Sequence, residues 1–293
     1  MIHEKWSPKL AAVSPELRGW AWDEAPIAPL MDNLKLGVSE VSSRYCESRR
    51  DIYLKKVLKM RPKTTQPMLR GKAVHSLIVR VLKFLKKEML KEPGSGSELY
   101  MTFQTKRVSI VKEILKKLSL NDDFEHKLSL LYNYLALQLS AEYDKLLSEA
   151  PEYVRSSVSE KISGIISERL VDGSRIGLSS WLMIDVYIPP MTIVEIKTGA
   201  LRDFHVLSLA GYALALESSE YTPVNHGCLL YVHLNNGVYM FKKLVKISDD
   251  VRREFLEERD QVMEIIYSER DPGMPNTCPQ SCPFYYYCRG DGE

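Results

Sequence analysis

A mixed α/β fold is predicted by two changes of rhythm along the chain. Up to about residue 150 the apolar residues recur at helical spacing. From 153 to 198 they alternate, with turn signals at Asp172–Gly173 and Pro189–Pro190. A helical stretch, a hairpin and a charged helix then follow. That order suits a mixed central sheet with an added helical lobe.

The elements justify this reading in turn. Residues 1–40 carry Trp6, Trp20, Trp22, Pro8, Pro15, Pro26 and Pro29 with little periodicity, which predicts an irregular lead-in with short helices. Helical spacing follows Ser39 through residue 60. Residues 71–91 place Val74, Leu77, Ile78, Val81, Leu82 and Leu85 on one helical face. The EPGSGS run at 92–97 reads as a loop and a flexible insertion point. Residues 106–119 and 122–148 read as two more helices, and Pro151 ends the block. Three or four strands fill 153–198, and 202–218 is helical. The runs GCLLYVHL and GVYMFKKLVKI flank Asn235–Asn236–Gly237, a strong hairpin signal. Residues 248–268 form a charged helix before a Cys-rich tail. Three regions result: a helical one over 1–150, an α/β core over 151–270 and the tail over 271–293, in one integrated unit.

Composition narrows the class. The chain has 293 residues and is 45% hydrophobic, ample for a buried core. No apolar run is long enough to span a bilayer, and MIHEKWSPKL has no apolar signal core, so a cytoplasmic protein is expected. Few Asn and Gln beside many Glu, Lys, Arg and Ile hint at a thermophile.

The chemistry concentrates in residues 183–198. Asp185 ends the run MID, and the run TIVEIK carries Glu195 and Lys197. Side chains two apart on a strand share a face, so Glu195 and Lys197 point the same way. Adjacent strands would bring two carboxylates and an ammonium together, a set that suits hydrolysis assisted by Mg²⁺ or Mn²⁺. A carboxylate inside an apolar strand is expensive unless paired or metal-bound. His75 lies in GKAVHSLI on a helix face with Gly71, Lys72, Ile78 and Val79. It serves a metal only if its neutral nitrogen aims at the carboxylates. Otherwise it is structural.

After Lys197, His205, Ser208 and Tyr212 fall on one helical face. The start of that helix offers N–H groups to a phosphate, and Tyr212 either lines the groove or packs in the core. Upstream, residues 44–72 hold ten basic residues, among them Arg44, Arg49, Arg50, Arg70 and Lys72. Less Glu47 and Asp51, ten minus two leaves a local +8 on a chain of net +2. This is either a phosphate-binding surface or a solvated helix face.

Five cysteines, an odd number, argue against a disulfide framework in a cytoplasmic chain. Cys278, Cys282 and Cys288 cluster in the tail. Cys46, within the basic segment, is the natural fourth thiol, and Cys228 sits in an apolar strand as a core residue. Four thiolates suit zinc or an iron–sulfur cluster, while a disulfide or free thiols stay open.

Taken together, YCESRRD around Cys46, RGKAVH ending at His75, the Asp185–Lys197 stretch, AGYALALE and the tail cysteines resemble one family. It is the CRISPR-associated RecB-like nucleases of the adaptation step, the Cas-four family with its archaeal Csa-one branch. The resemblance runs from about residue 38 to 290. It implies a PD-(D/E)xK core and a [4Fe–4S] cluster on Cys46, Cys278, Cys282 and Cys288, clasping the N- and C-terminal regions. It implies that Mn²⁺ or Mg²⁺ is held by His75, Asp185, Glu195 and the Ile196 carbonyl, with Lys197 as catalytic lysine and Tyr212 beside it. Cleavage of single-stranded DNA and prespacer overhangs, and partnership with the CRISPR integrase subunits, are implied as well. Two departures stand out. Ser208 replaces the family's Gln ahead of Tyr212, with His205 as a compensating residue, and the first tail spacing is x3 instead of x2.

Overall fold

The computed structural model describes residues 13–149, 162, 164–189 and 192–290. Trp6, Pro8, Pro151 and Pro190, given local roles above, lie outside the described residues. One five-stranded mixed sheet, in the order β1-β2-β3-β4-β5, organises the chain. Its strands are β1 (Ile166–Val171), β2 (Leu182–Ile188), β3 (Thr192–Thr198), β4 (His226–His233) and β5 (Tyr239–Lys246). Sequential neighbours run antiparallel except β3 and β4, which are parallel from Thr192↔His226 to Thr198↔Val232. A parallel pair needs a crossover, and α6 (Val206–Glu220) supplies it.

α6 reads VLSLAGYALALESSE and is buried on nearly all sides, as a helix apolar around its whole circumference must be. It packs with the charged helix α7 (Asp249–Ser268) and the N-terminal segment in a core containing Leu17, Val41, Leu214 and Phe255. The N-terminal segment has 3₁₀ turns at Pro15–Leu17 and Gly19–Ala21 and a short helix, α1 (Val38–Ser42). The helical spacing expected through residue 60 is interrupted. Arg49 adopts left-handed φ 60°, and only then do α2 (Arg50–Ile52) and a π-helical turn (Tyr53–Val57) continue.

The helical lobe comprises α3 (Gln66–Met89), α4 (Gly96–Leu118) and α5 (Glu125–Glu149). Its core, with Leu77, Leu85, Phe103 and Leu131, reaches the sheet at Ile196 and Val232. The expected loop at 92–97 holds over residues 92–95, and α4 begins at Gly96. Ser95 caps it by accepting from the Glu98 N–H at 3.2 Å, and the Gly96 N–H donates to Asp144 at 2.6 Å. The hairpin forms as expected, with His233 opposite Tyr239 and Gly237 at φ 150° in its loop.

Candidate active site and cysteine clasp

The site forms where the sheet's ladder opens. β2 and β3 pair from Ile188↔Thr192 to Val186↔Val194, and the pairing stops one step before Asp185 and Glu195. The β1–β2 ladder likewise passes from Ser167↔Val186 to Arg169↔Ile184, skipping Glu168 and Asp185. Glu168, in left-handed φ 54°, lies at that break. Asp185 is therefore freed from regular pairing on both sides. Its Oδ2 accepts from the Ile196 N–H at 2.8 Å, and its Oδ1 lies 3.2 Å from His75 Nδ1.

On β3 the alternation holds as predicted, and Lys197 Nζ donates to Glu195 Oε1 at 2.9 Å. Glu195 is only 8% exposed, and its second oxygen, Oε2, is buried without a hydrogen-bond partner. Burial pushes the Glu195 carboxyl up; the Lys197 ammonium opposes this, the Asp185 charge adds to it, and the net shift is upward. Burial works against the charged forms of His75 and Lys197 too. For His75, the hydrogen bond and charge of Asp185 prevail and raise its pKa. For Lys197, the adjacent Glu195 does the same. Tyr212, half-buried on α6, has its phenol held well above the usual range by burial and by the charges of Glu195 and Asp185, so it stands near them as a neutral donor.

Among the described residues, no three His, Cys, Asp or Glu side chains are drawn close enough to hold a metal ion. The imidazole and Asp185 satisfy each other, and the ammonium satisfies one oxygen of Glu195. The donor types nevertheless fit a hard divalent cation, and the orphaned Oε2 is an acceptor that such an ion would satisfy.

A cleft of about 800 Å³ opens beside these groups. His75, Asp185 and Thr198 line one part of it, and Cys46, Cys282 and Phe284 line another. The N-terminal and tail segments are joined across it. Lys63 N–H donates to the Pro283 carbonyl at 2.9 Å, Ser48 Oγ to the Gly273 carbonyl at 2.8 Å, and Arg50 forks onto Asp271 at 2.9 and 2.7 Å. Cys46, Cys278, Cys282 and Cys288 are partly exposed free thiols. Burial pushes the Cys282 thiol up to about 11, and the neighbouring Cys278 and Cys46 sulfurs push the same way. Burial also raises Cys288, while Arg50, with Nη1 3.8 Å from its sulfur, pulls back. Cys46 and Cys282 line the cleft and Cys278 and Cys288 do not, and among the described residues no three thiols converge as a metal site, yet as soft donors the four suit a thiolate-bound metal or cluster in kind. Cys228 is buried on β4, as expected of a core residue.

The fold pairs the first half of the basic segment internally. Arg44 pairs with Glu254 and Glu258 at 2.8 and 2.7 Å, Arg49 with Glu258, Arg50 with Asp271, and Lys55 and Lys56 with Glu40 at 2.7 and 2.8 Å. Arg49 is buried and also donates to the Val41 carbonyl at 2.8 Å, so it holds the chain together and faces no strand. Arg70 is exposed, 3.5 Å from Asp123 and stacked over Phe124. Lys72 is exposed and lines the cleft. Among the described residues, Lys59, Arg61, Lys63 and Lys72 form no ion pair and are exposed, so six of the ten cations are paired and the unpaired charge lies within 59–72.

Two helix residues are likewise reassigned. Ser208 is buried and donates to the His205 carbonyl at 2.8 Å. His205 is buried between two phenols, Nε2 2.9 Å from the Tyr45 hydroxyl and Nδ1 2.8 Å from that of Tyr231. Burial lowers its pKa to about 4, with help from Lys197 and the cations Arg202 and Lys243, so it is neutral at ordinary pH. Neither side chain reaches the cleft directly. Tyr45 does, and sequence reasoning passed over it; an aromatic preceding a cysteine in YCESRR was the available signal. Glu168 also lines the cleft, and an acid within the run ISERLV marked it.

The family model described as "CRISPR-associated exonuclease Csa1" matches residues 2–291. The chain belongs to the Csa1 family. A protein of that name from Thermoproteus tenax is 31% identical over 284 residues, 95% of this chain and 92% of the relative. A Csa1 protein from Saccharolobus solfataricus is 33% identical over 279 residues, 94% of this chain and 92% of the relative. The Csa1 match thus spans the lobe, the sheet and the tail alike. Among the described residues, no helix is long and apolar enough to cross a membrane.

Proposed function

We propose that this Csa1-family chain is a divalent-metal-dependent deoxyribonuclease of the PD-(D/E)xK, RecB-like class that trims single-stranded prespacer ends in CRISPR adaptation, alongside the CRISPR integrase subunits. The observation that carries the reading is the buried, partnerless Oε2 of Glu195, whose other oxygen accepts from Lys197 and whose carboxyl feels the Asp185 and His75 charges, next to a cleft lined by His75 and Asp185. His75, Asp185, Glu195 and the Ile196 carbonyl would hold the ion. When bound, Mn²⁺ or Mg²⁺ neutralises phosphate charge and lowers the pKa of a coordinated water. Lys197 keeps its proton and steadies the negative charge that builds on the phosphate as water attacks phosphorus and the P–O bond breaks. Tyr212 is poised as a neutral donor, and Asp185 fixes the His75 ring.

The four cysteines would hold a [4Fe–4S] cluster as a clasp between the N-terminal segment and the tail. Two observations favour it: Cys282 and Cys288 each feel the nearby Cys278 and Cys46 sulfurs, and hydrogen bonds already join the two segments. A brown solution with matching iron and sulfide content supports the cluster. Colourless protein containing zinc overturns it.

The activity is tested by digestion of single-stranded DNA across a Mn²⁺ and Mg²⁺ titration. Glu195→Gln and Lys197→Ala are expected to lower cleavage at least 100-fold while circular dichroism stays unchanged. Wild-type rates in either variant overturn the assignment. A second reading, a DNA-binding scaffold that does not cut, is favoured by the mutual pairing of the site's side chains, which leaves no three donors converged. Retained binding with no cleavage at any metal concentration selects it.

A further inference from the structure

Tyr45 stands out because its two ends are treated oppositely. Its side chain is 55% exposed on the cleft wall, yet its hydroxyl is fixed 2.9 Å from His205 Nε2. His205 is in turn fixed by Tyr231, which is fully buried. The Phe204 ring meets Tyr45 in a T-shaped contact, with centroids 5.0 Å apart, and braces it. An exposed aromatic normally samples several rotamers, whereas this one is tethered at its tip and braced by a neighbouring ring. Lys72 and Lys117 line the same cleft, as do the apolar Met68, Pro279 and Phe284. An aromatic face set beside cations is the arrangement that receives unpaired nucleotides, the base on the ring and the phosphates on the ammonium groups.

We propose that Tyr45 is the base-stacking platform of this cleft and that the His205–Tyr231 pair is its anchor, so that the protein selects DNA ends with an unpaired nucleobase. A base inside a duplex is already stacked between its neighbours and has no free face to offer. This deepens the nuclease reading and depends on it only for the identity of the ligand as DNA. It also gives His205 a purpose: a positioning residue that acts through Tyr45.

The test is fluorescence anisotropy on the full chain without divalent metal, using a labelled single-stranded oligonucleotide, a blunt duplex of equal length, and single strands with one abasic residue at each position in turn. Wild-type protein is expected to prefer the single strand and to lose about ten-fold in affinity at one abasic position. Tyr45→Ala should weaken single-strand binding by a similar factor and erase the penalty at that position. Tyr45→Phe, which keeps the ring and loses the tether, should retain a reduced penalty. Wild-type affinity in Tyr45→Ala, or an abasic penalty unchanged by it, overturns the platform and leaves the nuclease reading intact. No binding of wild-type protein to any DNA overturns both.

Discussion

Glu195 and Lys197 hold each other's charge in a place where neither would ionise cheaply alone. Removing only the ammonium leaves a buried carboxylate with two unsatisfied oxygens. Lys197→Met is therefore expected to destabilise by about 1–3 kcal/mol, and adding Glu195→Gln should recover part of the loss; thermal melts of the single and double variants check this. His205 gives a pH signature with a definite sign. Its folded pKa is about 4 against about 6.5 in the unfolded chain, so between those values the unfolded state binds a proton that the folded state refuses. Stability should be full above pH 6.5 and fall as pH drops towards 4. His205→Gln should flatten that window in urea titrations. The Glu195–Lys197 pair was legible because strand alternation is local. The Tyr45–His205 contact was not, because it joins residues 160 positions apart and no periodicity links them.

The strands and helices were largely readable from rhythm, while their ends and faces were not. α4 starts ten residues before the expected position because the Ser95-x-x-Glu98 cap was masked by the glycines around it. Gly96 is there for closeness: a Cβ on it would lie 2.1 Å from the Ser140 carbonyl oxygen and 2.6 Å from Asp144 Oδ2. Gly96→Ala is expected to cost about 1–3 kcal/mol by forcing α4 from α5, against near-neutral effects at an ordinary loop glycine; chemical denaturation decides. The first part of the basic segment turns inward for a reason its local sequence hides. Its partners Glu254, Glu258 and Asp271 come from far along the chain, and only the fold reveals that they neutralise it.

Across the whole molecule, one buried carboxylate ties three distant segments together. Glu217 accepts from Arg18 at 2.7 Å and from Arg252 at 2.8 and 2.9 Å, and both Glu217 and Arg252 are fully buried. Glu217→Ala would strand two guanidinium groups and is expected to cost about 3–5 kcal/mol, read as a large fall in the melting midpoint. The sequence concealed this anchor, since Arg252 and the equally buried Arg259 sit in a helix whose charge density reads as exposed. The cleft carries a consequence for the tail. Residues from the 43–76 stretch line it from one end of the chain and residues from 279–284 from the other. Without the Lys63–Pro283 bond, the cleft that His75 and Asp185 line would stand open on the side that the tail now closes.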